Sequence, residues 1–466
     1  MYKHPVTPGS LASRRARSRR RSVGAVAALL AVGVLAVAAC GDDASDESSA
    51  STSSTSASDA GVTPTITVSS TAVTSTTVDS SPTTPPAATS GEFDAATVEQ
   101  LDELVREFQE VNQTPGALIG IWGPEGTYVS ATGVSDITTE APLEPDMQFK
   151  IASQTKSFTG NLVLQLVSEG KVGLDDHISK WVDGVPNGDE ITIRQLLNHT
   201  SGLADGFTDP SVQARILDGC TVEELLTWEA AFPPVAEPGE KWSYSNYGFN
   251  LLGRVVELVE GKDFATVLEE RITEPLGLTR TYLAEDSGLT EPYTHGYGFG
   301  DLGPTEAPTV ESDATDFPLS CLWAHGGMVS TLEDMHVWMS SMESLVAPEV
   351  WDEAITDPVP FVFGGMYNGP GEWLNALGFD ISGGFYVAEG SFAGYEGASM
   401  YSPTLDTTIS VTTTKMPSAI NPPPMMQALA MTLFGDDVDF GLTIDQAMAP
   451  NLGPGHDATA PTTTTG

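Results

Sequence analysis

Phe149-Lys150-Ile151-Ala152-Ser153-Gln154-Thr155-Lys156 is the stretch on which the reading of this 466-residue chain turns. If Ser153 opens a helix, Lys156 stands one turn further on and on the same face. Its amine then reaches the Ser153 hydroxyl. A serine hydroxyl is a weak nucleophile and needs a neighbouring base. A lysine in a partly dry site loses basicity and can serve as one. The start of the helix also offers a backbone N–H, that of Ser153, to an oxygen gaining negative charge. Alone the pattern decides little, because Ser-x-x-Lys arises often by chance and also describes an ordinary exposed helix start.

The flanking sequence supplies the architecture. Leu162, Leu164, Leu166 and Val167 follow Ser153 in a long helical zone. Upstream, Val98, Leu101, Leu104, Val105 and Phe108 recur at helical spacing, so the folded part begins near Phe93 with an amphipathic helix. Residues 116–122 and 127–133 read as two strands around Pro124-Glu125-Gly126. Near the other end, 384–388, 397–401 and 407–413 read as antiparallel strands. A final helix is expected near 425–433, after Pro422-Pro423-Pro424. Strands at both ends with helices between them predict an α/β fold: an antiparallel sheet flanked by helices, with a mostly helical subdomain. There is no internal repeat.

A second motif lies about ninety residues on. Tyr244-Ser245-Asn246 follows Pro238-Gly239-Glu240-Lys241-Trp242-Ser243 and precedes a helix carrying Leu251, Leu252, Val255 and Val256. With it the chain resembles the serine β-lactamase-related family: class C β-lactamases, D-alanyl-D-alanine carboxypeptidases, other penicillin-binding proteins and family VIII esterases. Ile191-Thr192-Ile193-Arg194-Gln195-Leu196-Leu197-Asn198-His199-Thr200-Ser201-Gly202-Leu203 and Gly326-Gly327-Met328-Val329-Ser330-Thr331 match the family's habits too. The resemblance runs over roughly residues 95 to 435. It implies that Ser153 is the nucleophile and Lys156 its base. It makes Tyr244 a base or proton shuttle, and has Asn246 hold the substrate amide and fix the lysine. It also makes the stretch around His199 scaffold. His325, beside Gly326-Gly327, is read as packing. The tryptophans and methionines are read as core.

The family's third motif usually reads Lys-Thr-Gly or His-Thr-Gly, with variants such as Trp-Gly-Gly. Here the nearest stretch is Val387-Ala388-Glu389-Gly390-Ser391-Phe392-Ala393-Gly394-Tyr395, with Gly394-Tyr395 setting the register. The motif becomes Ala388-Glu389-Gly390. Gly390 keeps the close backbone approach, and the Ser391 N–H remains to complete an oxyanion hole with that of Ser153. Ala388 supplies no cation. Glu389 puts a carboxylate where the resemblance expects a substrate carboxylate to be received, unless it points away or the register is shifted. Poor handling of penicillins and anionic peptide ends is therefore expected. Neutral esters, amides or amine-bearing substrates fit better.

The ends of the chain carry a different message. Lys3 and six arginines precede an apolar run over 23–39 that closes in Val37-Ala38-Ala39-Cys40. A basic region, an apolar run and small residues at the cut describe a secretory signal. The cysteine position resembles a bacterial lipobox. It implies cleavage before Cys40, a diacylglycerol on its sulfur, and a protein exported and anchored to the outer face of the cell membrane. An uncleaved membrane helix is the rival, though the run is short for one. Sec and twin-arginine export both stay open. The chain has 20 Lys and Arg against 63 Asp and Glu, a net charge of −43. Such a surface repels nucleic acid and anionic headgroups, so no nucleic-acid partner is expected.

The expected organisation is a signal over 1–39 and a Ser/Thr/Pro-rich linker over 40–91. The hydrolase domain follows over 92–437, with a tail over 438–466. Cys220 and Cys321 are left either to pair or to remain as two thiols. No metal-ligand cluster or nucleotide loop appears, and no cofactor is expected. The expected function is a serine hydrolase acting through a Ser153 acyl-enzyme on an amide, peptide or ester, including peptidoglycan-derived substrates. The rivals are a non-catalytic ligand-binding lipoprotein on the same fold and a penicillin sensor that deacylates slowly.

Overall fold

The structure is a computed structural model that describes residues 92–451 apart from 217, 285, 300–301 and 362–372. The expected signal, Cys40, the linker and the end of the expected tail lie outside the described residues. Helix α1 (Ala95–Asn112) is capped by Asp94, whose side chain accepts from the Thr97 N–H. Its buried face carries Leu101, Leu104, Val105 and Phe108, as a 3.6-residue period requires. Strands β1 (Gly116–Gly123) and β2 (Gly126–Asp136) form the expected hairpin.

The remaining strands are β3 (Ala141–Pro142), β4 (Phe149–Lys150), β5 (Tyr282–Leu283), β6 (Met328–Ser330), β7 (Val359–Pro360) and β8 (Leu374–Asn375). They continue with β9 (Asp380–Ser382), β10 (Phe385–Phe392), β11 (Tyr395–Ser402) and β12 (Thr407–Thr413). Nine of the twelve strands among the described residues build an antiparallel sheet in the order β3-β2-β1-β12-β11-β10-β9-β8-β7, and β4-β6-β5 make a small second sheet. The first and last strands of the domain thus meet in the middle, where β1 pairs with β12.

Alternation along the strands feeds two cores, one on each face. Ala117, Ile119 and Ile121 of β1 and Phe385 and Val387 of β10 pack with α1 and the last long helix, α5 (Pro422–Phe434). Leu118, Tyr386 and Ala388 point the other way, into a helical region. That region contains α2 (Thr155–Ser168), α3 (Asn246–Glu260) and α4 (Leu332–Ser341). Helix α2 is buried on all sides over Thr155–Leu166, so it forms the centre of the molecule rather than a surface helix. Trp338, Trp351, Met335 and Met339 are core residues, as expected.

Three expectations need correction. Helix α5 begins at Pro422 itself, because prolines in a first turn occupy positions whose N–H groups have no helical partner. Strand β10 does not stop at 388 but runs on to Phe392, through the altered motif. It turns at Ala393 and Gly394, whose φ angles are 45° and 88°, the pair of left-handed residues that a two-residue hairpin of matching twist requires. The folded chain also passes the expected boundary at 437. Val438, Phe440, Ala447 and Met448 bury against the α1–α5 core, and Thr443 caps a short helix Ile444–Ala447. The tail reading failed because these apolar residues are few and spaced among acidic ones.

Cys220 and Cys321 form a disulfide with Cα atoms 5.2 Å apart. It links the loop before helix Val222–Glu229 to the segment leading into His325. A digest of the non-reduced protein is expected to yield the Cys220 and Cys321 peptides as one linked species; two separate thiol peptides would contradict the pairing.

Candidate active site

Ser153 sits in a single 3-10 turn, Ala152–Gln154, that runs straight into α2. Ala152 holds φ at 47°, a left-handed conformation that costs a non-glycine residue and that recurs at functional sites. The turn aims Ser153 at the cleft while Lys156, in the first turn of α2, stays beside it. Lys156 Nζ lies 3.1 Å from Ser153 Oγ. The same amine donates to Asn246 Oδ1 at 2.7 Å and to the His325 carbonyl at 2.8 Å. Tyr244 donates its hydroxyl to Ser153 Oγ at 2.9 Å. Its ring lies 4.9 Å from the lysine nitrogen. Lys156 and Tyr244 therefore meet at the Ser153 oxygen, and Asn246 reaches it through the lysine.

The electrostatics follow from burial. Burial brings the Lys156 pKa from 10.5 down to about 7, opposed by the charges of Asp205, Glu229, Glu389 and Asp380. A neutral amine has two N–H groups. Here both have acceptors, Asn246 Oδ1 and the His325 oxygen, which leaves the lone pair for Ser153. Burial pushes the Tyr244 phenol well above its usual 10, so it is a neutral donor in the resting site. That favours the proton-shuttle role over a phenolate base.

Burial and contacts give His199 and His325 other roles. His199 is buried, its Nδ1 accepts from the Ser245 N–H at 3.2 Å, and burial holds its pKa well below 6.5. It fixes the chain that presents Tyr244 and Asn246, which agrees with the scaffold reading. His325 serves the site through its carbonyl. Its ring packs edge-on against Phe207 and pairs with Asn250 at 3.2 Å.

The third motif closes the cleft. A Cβ on Gly390 would meet the Ile151 carbonyl, come within 2.6 Å of Ser153 N and within 2.9 Å of Gln154 N. Only glycine lets β10 cross the nucleophile's turn this closely. Gly390 and Ser391 both line a cavity of about 340 Å³ beside Ser153. Glu389 lines this cavity and also a smaller one of about 40 Å³ that reaches Lys156 and Asp380. Glu389 is thus in the cleft and not turned away. Burial raises its pKa to about 8.

Sequence reading missed three carboxyls around the lysine and a fourth, Glu396, that lines the cavity beside Ser153. Asp205 accepts from Asn246 Nδ2 at 3.2 Å and so orients the amide that holds Lys156. Glu229 accepts from Asn250 at 3.0 Å, with burial raising its pKa to about 8. Asp380 accepts from Asn375 at 2.7 Å, and burial raises it to about 7. Glu396, on β11, is buried and raised as well. No spacing pattern marks these residues; Asp205 in particular lies in a loop, and only tertiary packing brings it here.

A pH dependence follows. Lys156 must be neutral to take the serine proton. The free-enzyme kcat/KM for a neutral ester is expected to rise as pH increases through about 7. Asp380, Glu229 and Glu389 titrate in the same range, so the limb belongs to the coupled group. A profile flat from pH 5 to 9 would contradict lysine as the base.

A serine hydroxyl held between a buried lysine and a neutral phenol is the apparatus of a serine hydrolase that works through an acyl-enzyme. The chain belongs to the beta-lactamase family, whose profile matches residues 101–425. It is similar to a penicillin-binding protein of Bacillus subtilis, 30% identical over 223 residues, 47% of this chain and 49% of that protein. The chain spans about half the length of the curated relatives it matches. Among solved structures it resembles a D-stereospecific amidohydrolase from Streptomyces, with TM-score 0.62 and 26% identity over 73% of this chain and 99% of that one. It also resembles a D-amino acid amidase from Ochrobactrum anthropi, with TM-score 0.59 and 25% identity over 68% of this chain and 91% of that one.

Proposed function

We propose that this protein is a serine hydrolase that cleaves amides, peptides or esters through an acyl-enzyme on Ser153. One observation carries the reading: Lys156 Nζ lies 2.7 and 2.8 Å from two acceptors and 3.1 Å from the Ser153 hydroxyl, so once the amine is neutral its two N–H groups are engaged and its lone pair is left for the serine.

In the proposed cycle Ser153 Oγ attacks the carbonyl carbon as its proton passes to Lys156 Nζ. The carbonyl electron pair moves onto oxygen, which the N–H groups of Ser153 and Ser391 hold. Tyr244 hands a proton to the leaving nitrogen or oxygen as the bond to carbon breaks, and takes one back through Lys156. Water then enters by the reverse route and frees the acid. Asn246 keeps the lysine in register and faces the substrate amide. No step needs a cofactor.

The amidohydrolase and amidase relatives support amide cleavage, and the penicillin-binding relative supports a peptide-like substrate. Val37-Ala38-Ala39-Cys40 supports a lipid-anchored site of action at the outer face of the membrane. Hydrolysis of p-nitrophenyl butyrate by the purified protein, lost in Ser153→Ala, tests the reading. Turnover that survives the substitution would remove Ser153 as the nucleophile, and no turnover of any ester or amide would overturn the reading in favour of a binding protein.

Glu389 is expected to set this enzyme against carboxylate-bearing substrates. Two carboxylates about 4 Å apart repel by about 4 kcal/mol at an effective dielectric of about 20. With its pKa near 8, Glu389 exerts this repulsion mainly above that pH. Glu389→Thr should therefore raise the acylation rate by benzylpenicillin about tenfold or more at pH 9, and less at pH 6. Equal acylation of both proteins at pH 9 would remove Glu389 from this role.

A further inference from the structure

The second acceptor of Lys156 is a backbone carbonyl, which is placed only as well as the turn that carries it. His325 belongs to the short helix Trp323–Gly326, in which Trp323 holds φ at 39°. A non-glycine residue in that region persists only where surrounding contacts hold it. The His325 ring makes such contacts. It is buried, packs edge-on against Phe207, and its Nδ1 lies 3.2 Å from Asn250 Oδ1.

Asn250 is itself held from behind. Its Nδ2 donates to Glu229 Oε2 at 3.0 Å. That bond turns the amide oxygen towards His325, so the histidine donates through its Nδ1–H. Glu229, Asn250 and His325 thus form a buried polar chain that ends on Lys156 Nζ, 2.8 Å from the His325 carbonyl. Its members come from three segments, helix Val222–Glu229, α3 and the turn at 323–326. A parallel chain serves the other N–H. Asp205 accepts from Asn246 Nδ2 at 3.2 Å, and Asn246 Oδ1 accepts from the lysine at 2.7 Å. Asn246 and Asn250 are four residues apart on α3 and so share a face. One face of one helix backs both acceptors of the lysine, each with a carboxyl behind it.

The Glu229 chain does little for the fold. Glu229 Oε1 is buried and has no hydrogen-bond partner among the described residues. A buried carboxyl held by so few donors costs stability that an apolar side chain of similar size would not. Nor does the chain meet substrate directly, because neither Glu229 nor Asn250 lines the cavities at Ser153.

We propose that Glu229 and Asn250 are positioning residues for the reaction. They hold the His325 ring, and with it the carbonyl that keeps the second N–H of Lys156 turned away from Ser153. This rests on the hydrolase reading above and adds two residues behind the base.

The test measures kcat and KM of the full protein for p-nitrophenyl butyrate. Glu229→Met/Asn250→Leu removes both partners of the buried pair at once, so neither is left facing a missing one. Asn250→Ser breaks the chain by a smaller change. In both, kcat should fall about ten- to a hundredfold, part of what a general base contributes. KM should stay within about threefold, because the loss falls on the transition state and not on binding. Glu229→Gln keeps an oxygen for Asn250 Nδ2 and should recover kcat to within about threefold of wild type. Thermal melts report on folding. Wild-type kcat in a folded chain-breaking variant, a loss carried mainly by KM, or a loss in Glu229→Gln equal to that of the double variant overturns the proposal. Failure of both chain-breaking variants to fold overturns it too, since the chain would then serve the fold. Labelling of Ser153 by a fluorophosphonate keeps the two readings apart. Equal labelling rates in wild type and in the chain-breaking variants sink the positioning role and leave the hydrolase reading standing, whereas no labelling of wild type sinks both.

Discussion

Lys156→Met should lower kcat/KM for a neutral ester by about a thousandfold or more, within the range set by loss of a general base and an activated nucleophile. Methionine is unbranched and of similar reach, so the buried channel in α2 stays filled. What disappears is the side-chain nitrogen that lies 3.1 Å from Ser153 Oγ. The other groups in reach cannot replace it. Tyr244 is a neutral phenol with its pKa pushed up by burial. Burial holds the pKa values of His199 and His325 well below 6.5, which makes them weak bases, and their Nδ1 atoms are engaged with Ser245 and Asn250. The substitution also strips a donor from Asn246 Oδ1 and from the His325 carbonyl, at a stability cost of about 1–3 kcal/mol for each acceptor left unpaired. A thermal melt therefore accompanies the kinetics. A folded variant with activity within tenfold of wild type would show that another group is the base.

Gly390→Ala should reduce kcat by about a hundredfold or more, although it adds a single methyl group. The new Cβ would stand 2.6 Å from Ser153 N and 2.9 Å from Gln154 N, and would overlap the Ile151 carbonyl. These are backbone atoms, so no rotamer change relieves the clash. Either β10 or the nucleophile's turn must move away, and the two N–H groups proposed to hold the oxyanion separate. Loss of one such donor alone is worth about a hundred- to a thousandfold in kcat. Fluorophosphonate labelling should slow in parallel, since it uses the same donors. Full activity in the alanine variant would mean that β10 does not form the oxyanion site.

Much of this site was legible because its residues lie at fixed offsets in the chain. Ser153 and Lys156 are three apart at a helix start, and helical geometry alone brings them together. Tyr244 and Asn246 flank Ser245, the N-cap of α3, whose side chain accepts from the Gly248 N–H. The register of the third motif was read from the resemblance of Gly394-Tyr395 to the family, and in the structure Gly394 takes the left-handed position of the hairpin turn. Asp205, Glu229, Asp380 and Glu396 were hidden for the converse reason. Each is a single acid in a chain with 63 of them, and its place at the cleft depends on packing between elements far apart in sequence. The domain end was misread at 437 for a related reason: Val438 and Phe440 show no long apolar period, yet the α1–α5 core takes them in. The pairing of Cys220 with Cys321 spans 101 residues and had no local signal.

The most direct test of the central claim is intact-protein mass spectrometry on samples quenched during turnover of p-nitrophenyl butyrate, with wild type and Ser153→Ala side by side. A single butyryl adduct on wild type, mapped to the Ser153 peptide and absent from the variant, is the predicted result. Equal adducts on both proteins, or turnover of the ester by the Ser153→Ala variant at the wild-type rate, would contradict an acyl-enzyme at Ser153.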